Sequence, residues 1–182
     1  DAMAAATWLP GGVSIVRPRD PEARVSFSFP VAPGKIVSLD DPELKDKPVV
    51  VSISGTWCPN CHDEAPVLED LYRRYRGKGL AIVSLSYEYT EDAERSFRQI
   101  ARFRERHGLT YPVLFAGTSK SASNSAPISL LEGWKGYPTT LFLDRSHRIV
   151  KAQSGFDGPS TGARFPAQKK ELEEAVKALL AR

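Results

Sequence analysis

The feature that most constrains this chain is Trp57-Cys58-Pro59-Asn60-Cys61, which contains its only two cysteines. The β-branched run Val49-Val50-Val51-Ser52-Ile53 before it reads as a buried strand. Asp63 to Arg76 after it reads as a helix, so the pair lies at a strand-to-helix turn. Residues three apart on a helix share a face, with Cβ atoms about 5–6 Å apart. A disulfide asks for about 3.5–4.5 Å, so a small adjustment closes the gap. Pro59 has no N–H to waste and suits the first helical position. Cys58 then sits at the N-cap, where free backbone N–H groups and the positive helix end stabilise a thiolate. Such settings bring a cysteine pKa to about 3.5–7.5. The spacing predicts an exposed, reactive Cys58 and a shielded Cys61.

Other chemistries compete for a Cys-x-x-Cys. A zinc site needs about four ligands, and only His62, His107 and His147 supplement the thiols. Cys58-Pro59-Asn60-Cys61-His62 is also a literal haem-attachment string. The only methionine is Met3, which disfavours a Met axial ligand, and a strand-turn-helix setting suits a redox pair better than haem. An inert structural disulfide is the bland reading, but so short a loop removes little unfolded-state entropy. The expectation is a redox pair with no metal and no organic cofactor.

The rest of the chain reads as one α/β domain over residues 25–182 with an N-terminal extension over 1–24. A hydrophobic fraction of 41% supports a sizeable core, and a net charge of +3 is too mild to argue for nucleic acid or a membrane surface. No apolar run is long enough to span a bilayer. No signal peptide is visible, although a mature exported chain would have lost one. Asp1 to Ala6 has the character of a processing remnant and is left out of the fold reading.

Val13 to Val16 reads as a short strand. Val25, Phe27 and Phe29 alternate with Ser26 and Ser28 as a strand, and Ile36 to Leu39 returns from a turn at Gly34-Lys35. The first helix carries Val67, Leu68, Leu71, Tyr72 and Tyr75 at helical spacing, and Pro66 inside it predicts a kink. Leu80 to Tyr87 is the next strand, completing a right-handed βαβ unit. A second helix is expected from about Glu91 to His107, capped by Thr90, with Phe97, Ile100, Ala101 and Phe103 facing inward. Arg95, Arg98, Arg102 and Arg106 form a basic stripe, and Glu91 and Glu94 each precede an arginine by four residues. A solvated face is the bland reading of that stripe; an acidic partner is the sharper one. Tyr111 to Phe115 is a third strand. Ala116 to Pro127 is a long polar loop, and Ile128 to Trp134 reads as a short helix. Thr139 to Leu143 and Ile149 to Gln153 form a hairpin around Asp144 to Arg148. After a loop from Gly155 to Arg164, Phe165 to Leu180 is a final amphipathic helix.

The motifs support a resemblance. Gly55-Thr56-Trp57-Cys58-Pro59-Asn60-Cys61, followed by Asp63-Glu64-Ala65-Pro66, resembles the TlpA/ResA-like thiol-disulfide oxidoreductases of the thioredoxin-like superfamily. Gly136-Tyr137-Pro138-Thr139-Thr140 is similar to that family's cis-proline loop, and Phe27 to Leu39 to its N-terminal hairpin. The resemblance implies a central mixed sheet flanked by helices, with an N-terminal β-hairpin. It implies an attacking Cys58, a resolving Cys61 and an acid, Glu64, near the pair; helix-end stabilisation is the bland role for Glu64. It implies that Trp57, Pro59, Tyr137 and a cis Pro138 line the groove where a substrate chain docks. The implied partners are protein thiols and disulfides and an upstream redox protein that resets the pair. The implied setting is the periplasm or cell envelope of a bacterium, with any membrane tether outside this stretch.

The chain also departs from related patterns. Ser52 stands six residues before the first cysteine, where many thioredoxins carry a buried acid. The dipeptide Pro59-Asn60 leaves the direction of electron flow open. Peroxiredoxins share the fold and provide the rival enzyme class, thiol peroxidase. Their pattern has Ser or Thr three residues before the peroxidatic cysteine, where this chain has Gly55. A non-catalytic binding module is a further rival, discouraged by the intact cysteine pair.

Overall fold

The computed structural model describes residues 16–182. In chain order its elements are β1 (Arg17–Pro18), β2 (Ser28–Ala32), β3 (Lys35–Ser38), β4 (Val49–Ser54), α1 (Pro59–Tyr75), β5 (Ala81–Glu88), α2 (Ala93–His107), β6 (Val113–Thr118), β7 (Leu131–Glu132), β8 (Thr139–Leu143), β9 (Ile149–Ser154) and α3 (Arg164–Leu180). The central sheet is mixed and five-stranded, in the order β6-β5-β4-β8-β9. β4 runs parallel to β5 and antiparallel to β8, so the strand leading to the cysteines is the middle one. β2 and β3 form a separate hairpin, and β1 pairs with β7.

The period of two along a strand assigns the two faces. On β4, Val49, Val51 and Ile53 point one way, joining Val83, Leu85, Leu141 and Leu143. Val16, Val25, Phe27, Ala122, Ile128 and Leu131 cover that face, so the N-terminal segment and the β6–β8 connection do the covering. Val50 points the other way with Ile82, Val113 and Phe142. There it meets Leu68 and Leu71 of α1, Ile100 and Phe103 of α2, and Leu172 and Val176 of α3. The helices therefore share one face. Burying each such side chain stabilises the fold by about 1.5–3 kcal/mol relative to exposure.

Several expectations need correcting. The alternation from Val25 to Phe29 is real in burial, but strand pairing begins only at Ser28, after Val25 and Phe27 have turned into the core. The helix after the cysteines runs from Pro59 through Pro66 to Tyr75 with Cys58 at its N-cap, as the reading of Pro59 and Cys58 expected; it ends one residue before Arg76. Asp92, not Thr90, caps α2: its carboxylate accepts from Arg95 N, while Thr90 Oγ1 accepts from Asp92 N. Ala101 is exposed because it lies about 100° around the helix from Ile100; Ser96 takes the inward place. Ile128 to Trp134 makes a single 3-10 turn and then β7, because Leu131 and Glu132 find an edge at Arg17–Pro18. Of the two Glu–Arg surface pairs, Glu94–Arg98 forms, and among the described residues Glu91 makes no ion pair. The strand expected at Val13 to Val16 lies outside the described residues except for Val16, which is buried.

Candidate active site

Toward the end of β4 the helix-facing side of the sheet turns polar. Val50 is followed on that face by Ser52 and Ser54, and Ile82 of β5 by Ser84 and Ser86. Ser52 pairs with Ser84 on one side and with Thr140 of β8 on the other. These hydroxyls form a floor on which the start of α1 sits. Cys58 caps that helix with extended backbone (φ −90°, ψ 116°), and its Sγ accepts from Cys61 N at 3.3 Å.

Both cysteines are free thiols. Cys61 is 1% exposed, as expected of the shielded partner. Cys58 is only 5% exposed, which corrects the expectation of an open thiol. Trp57 and Tyr137 stand edge to face beside it, with ring centres 5.2 Å apart. Hydrogen bonding from the Cys61 thiol, and then from the backbone N–H groups of Cys61 and Asn60, brings the Cys58 thiol down to about 7 against the opposing effect of burial. Cys61 is pushed strongly upward, first by burial and then by its negative neighbour, with a Ser54 hydrogen bond working the other way. The pair is thus asymmetric: one thiol ionises near neutrality and donates nothing, and the other keeps its proton and donates to it.

Glu64 lies wholly inside, one helical turn beyond Cys61. Ser52 Oγ donates to its Oε2 at 2.8 Å, and Thr140 Oγ1 donates to Oε1. Ser52, the residue at the strand position that elsewhere supplies an acid, thus serves as a hydrogen-bond donor to an acid contributed by the helix. Burial pushes the Glu64 carboxyl above its ordinary range, and the two hydroxyls pull partly against this. Its charge reaches both cysteines and raises each slightly.

A second buried carboxylate, Glu88, holds the other side of the turn. It accepts from Thr56 N at 3.1 Å, Thr56 Oγ1 at 2.7 Å and Ser86 Oγ at 2.6 Å. Trp57 Nε1 donates to Tyr87 O at 2.8 Å, pinning the residue before Cys58. Gly55 lies under that indole: a Cβ there would stand 2.5 Å from Nε1 and 2.9 Å from Tyr87 O. His62, just past Cys61, bridges Thr56 O and His107 Nε2 at 2.7 Å each. The neighbouring loop also presses in at Gly158, where a Cβ would overlap the Asp63 carboxylate at 2.0 Å.

Of the other expected site residues, Pro138 is buried and Tyr137 half-buried, and the peptide bond joining them is cis. The Tyr137 hydroxyl is buried without a hydrogen-bond partner among the described residues. Burial raises the Tyr137 hydroxyl above its ordinary range, and the two cysteines add to this. Pro59 is exposed at the first helical position. The sequence reading missed Glu88, Thr140, Tyr89 and His107. A signal for one of these, Glu88, was present: Ser84, Ser86 and Glu88 alternate along one strand, as do Ser52 and Ser54 on the next, and polar residues in a fully buried strand demand partners.

An asymmetric dithiol at a helix start, over the middle strand of this mixed sheet, is the arrangement of a thioredoxin-like thiol-disulfide oxidoreductase. Comparison with known proteins agrees. The AhpC/TSA family matches residues 22–152, and the chain belongs to that family. It is 32% identical over 150 residues to thioredoxin-like protein YneN of Bacillus subtilis (strain 168), covering 82% of this chain and 74% of that one. It is 28% identical over 134 residues to thiol-disulfide oxidoreductase ResA of Halalkalibacterium halodurans, covering 74% and 68%. Two solved structures share the fold. A thioredoxin-family thiol:disulfide interchange protein from Chlorobium tepidum TLS has TM-score 0.64 and 22% identity over 90% of this chain and 99% of that one. A DsbF homologue from Corynebacterium diphtheriae has TM-score 0.65 and 23% identity, covering 94% and 97%.

Proposed function

We propose that the chain reduces disulfides in protein substrates through Cys58 and Cys61. The Cys58 thiolate attacks one sulfur of a substrate disulfide, forming a mixed disulfide and expelling a substrate thiolate, which takes up a proton. Cys61 then loses its proton and attacks Cys58 Sγ. The Cys58–Cys61 disulfide forms, the second substrate thiol leaves, and the substrate has gained the two electrons the pair has lost. Until the first step, Cys61 is held protonated partly by the negative charge on Cys58. Capture of substrate removes that charge, so the resolving thiol becomes easier to ionise at the moment it is needed. Glu64, one turn along the same helix face, takes the proton; its raised affinity for protons suits it to this.

The observation that carries this reading is the placement of the pair: Cys58 caps α1 with its Sγ accepting from Cys61 N at 3.3 Å, while Cys61 lies more deeply buried within the first turn. A Cys58 pKa of about 7 also supports the reducing direction. Oxidising members of the superfamily stabilise the thiolate much further, to about 3.5. Trp57, Tyr137 and Pro138 wall the approach to Cys58 and would meet the docking chain, with exposed Pro59 at its edge. Residues 25–182 form the unit that carries this chemistry, and the segment up to residue 24 is an extension whose end seats on the core. A second redox protein must return two electrons to the pair, and no metal or organic cofactor takes part. A bacterial envelope setting rests on the TlpA/ResA-like resemblance. Among the described residues no helix is long and apolar enough to cross a membrane.

Peroxide reduction fits less well. The hydroxyl that the peroxidatic pattern requires would stand at Gly55, where even a Cβ collides with Trp57 and Tyr87. The test is trapping. Cys61→Ser should accumulate mixed disulfides with partner proteins, and Cys58→Ser should not. Equal trapping by both variants would reverse or abolish the assigned roles, and turnover of peroxide with none of disulfide would replace the reading.

A further inference from the structure

Beside the cysteines opens a groove of about 420 Å³. Thr56, Trp57 and His62 are part of its lining, so it lies against residues that flank the pair. One wall is aromatic: Tyr89 stacks on Trp57 with ring centres 4.3 Å apart, yet is 66% exposed. The opposite wall is α2, which contributes Arg95, Gln99, Arg102 and Arg106. At 100° per residue, positions 95, 99, 102 and 106 fall within about 60° of one another, so these side chains form one row. Arg95 and Arg106 are about 16 Å apart along the axis, the span of about five residues of extended chain. The three arginines are exposed, and among the described residues none forms an ion pair. Arg98, the remaining arginine of the stripe, is turned aside and paired with Glu94. The carboxylate in the lining, Glu88, is buried and already accepts from Thr56 and Ser86.

We propose that this groove receives an acidic segment of the polypeptide whose disulfide Cys58 attacks. The inference rests on the thiol-disulfide exchange reading and names its substrate class. Unpaired guanidinium groups in a row match carboxylates of an extended chain, and the exposed Tyr89 ring offers that chain an apolar contact. Because Trp57 and His62, next in sequence to the two cysteines, line the groove, a chain lying in it brings its disulfide close to Cys58. Charge complementarity of this kind acts mainly on encounter and register.

The probe is a pair of synthetic peptides of equal length, each closed by one internal disulfide, with glutamates flanking the cysteines in one and lysines in the other. The readout is the ratio of the rates at which the reduced protein opens them, measured by acid quench and chromatography. At about 20 mM salt the glutamate peptide should react about tenfold faster, and at about 500 mM the ratio should fall toward one. Arg95→Glu with Arg102→Glu should invert the low-salt ratio. A variant that merely misfolds slows both peptides alike and leaves the ratio unchanged, whereas the wild-type salt dependence needs no variant at all. A wild-type ratio near one, or one indifferent to salt, would overturn the proposal. So would a folded variant with the wild-type ratio. If neither peptide is opened, the exchange reading itself fails and the inference falls with it.

Discussion

Glu64 and Glu88 are buried carboxyl groups at the same end of the sheet, one beneath α1 and one beneath the Thr56-Trp57 turn. Glu88 accepts three hydrogen bonds, one of them from a backbone N–H of the turn it supports. Glu64 accepts only from hydroxyls, which can rotate and donate elsewhere. The first arrangement ties a carboxylate to the main chain and so fixes where Trp57 lies. The second leaves a carboxyl group inside the protein with a raised hold on its proton. The difference separates a clamp from a proton store: a buried acid is structural when the backbone depends on it, and is free for chemistry when only side chains do.

Removing the clamp gives the largest expected effect. Glu88→Ala leaves Thr56 N–H and two hydroxyls without their acceptor, each such loss costing on the order of 1–3 kcal/mol where water cannot replace it. We expect a loss of about 3 kcal/mol in urea unfolding, with much of it restored in Glu88→Gln. Glu64→Ala should cost clearly less, because its donors are hydroxyls that can turn away. Equal losses would dissolve the distinction between the two acids.

The next effect is read on the cysteine between them. The Cys58 thiol falls from 9.0 to about 7 on folding, so it contributes stability that is present above the unfolded pKa and lost as pH falls through 7. Only the reduced protein has this thiol. Between pH 7 and pH 9 the reduced form should therefore gain about 2–3 kcal/mol on the oxidised form. Above pH 9 the gain should erode, because Cys61 is raised and its unfolded counterpart ionises first. Unfolding of both forms across this range checks the window; a constant gap would mean that Cys58 is not the low-pKa thiol.

Much of this site was legible in sequence because its parts are local. The strand before the cysteines, Pro59 at the helix start and the Tyr137-Pro138 dipeptide are all short-range signals. The acid nests were harder to read because each joins residues far apart: Glu64 meets Thr140 across 76 positions, and Thr56 meets Glu88 across 32. The exposure of Cys58 was misjudged for the same reason, since Tyr137 comes to it from another strand end. On the second sheet face the period-two trace of Val25 and Phe27 was legible, whereas Ala122, Ile128 and Leu131 come from an irregular connection with no period to read.

The third effect concerns the proton store directly. Glu64→Gln keeps size and hydrogen bonding and removes the base. Release of substrate from the mixed disulfide at neutral pH should slow by about tenfold, short of the usual 10²–10⁴-fold of a positioned base because water can substitute. Formation of the mixed disulfide should not slow. Rapid-quench measurement of both steps decides it; a parallel loss in both, with lowered stability, would make Glu64 structural like Glu88.

The smallest effect tests whether Glu64 acts through charge at all. Its carboxylate raises both cysteines, and for Cys58 this is the last and weakest influence, behind the Cys61 hydrogen bond, burial and the backbone N–H groups. Glu64→Gln should then lower the Cys58 pKa slightly, since removing a like charge favours the thiolate. The shift should appear in the pH profile of alkylation rate, as a midpoint moved below that of the wild type with the plateau unchanged. Glu88→Gln makes a matched control, because Glu88 is not among the groups that move Cys58. A larger shift from Glu88→Gln than from Glu64→Gln would mean that the turn geometry, rather than the charge under α1, sets the thiolate. The roles drawn for the two acids would then have to be exchanged.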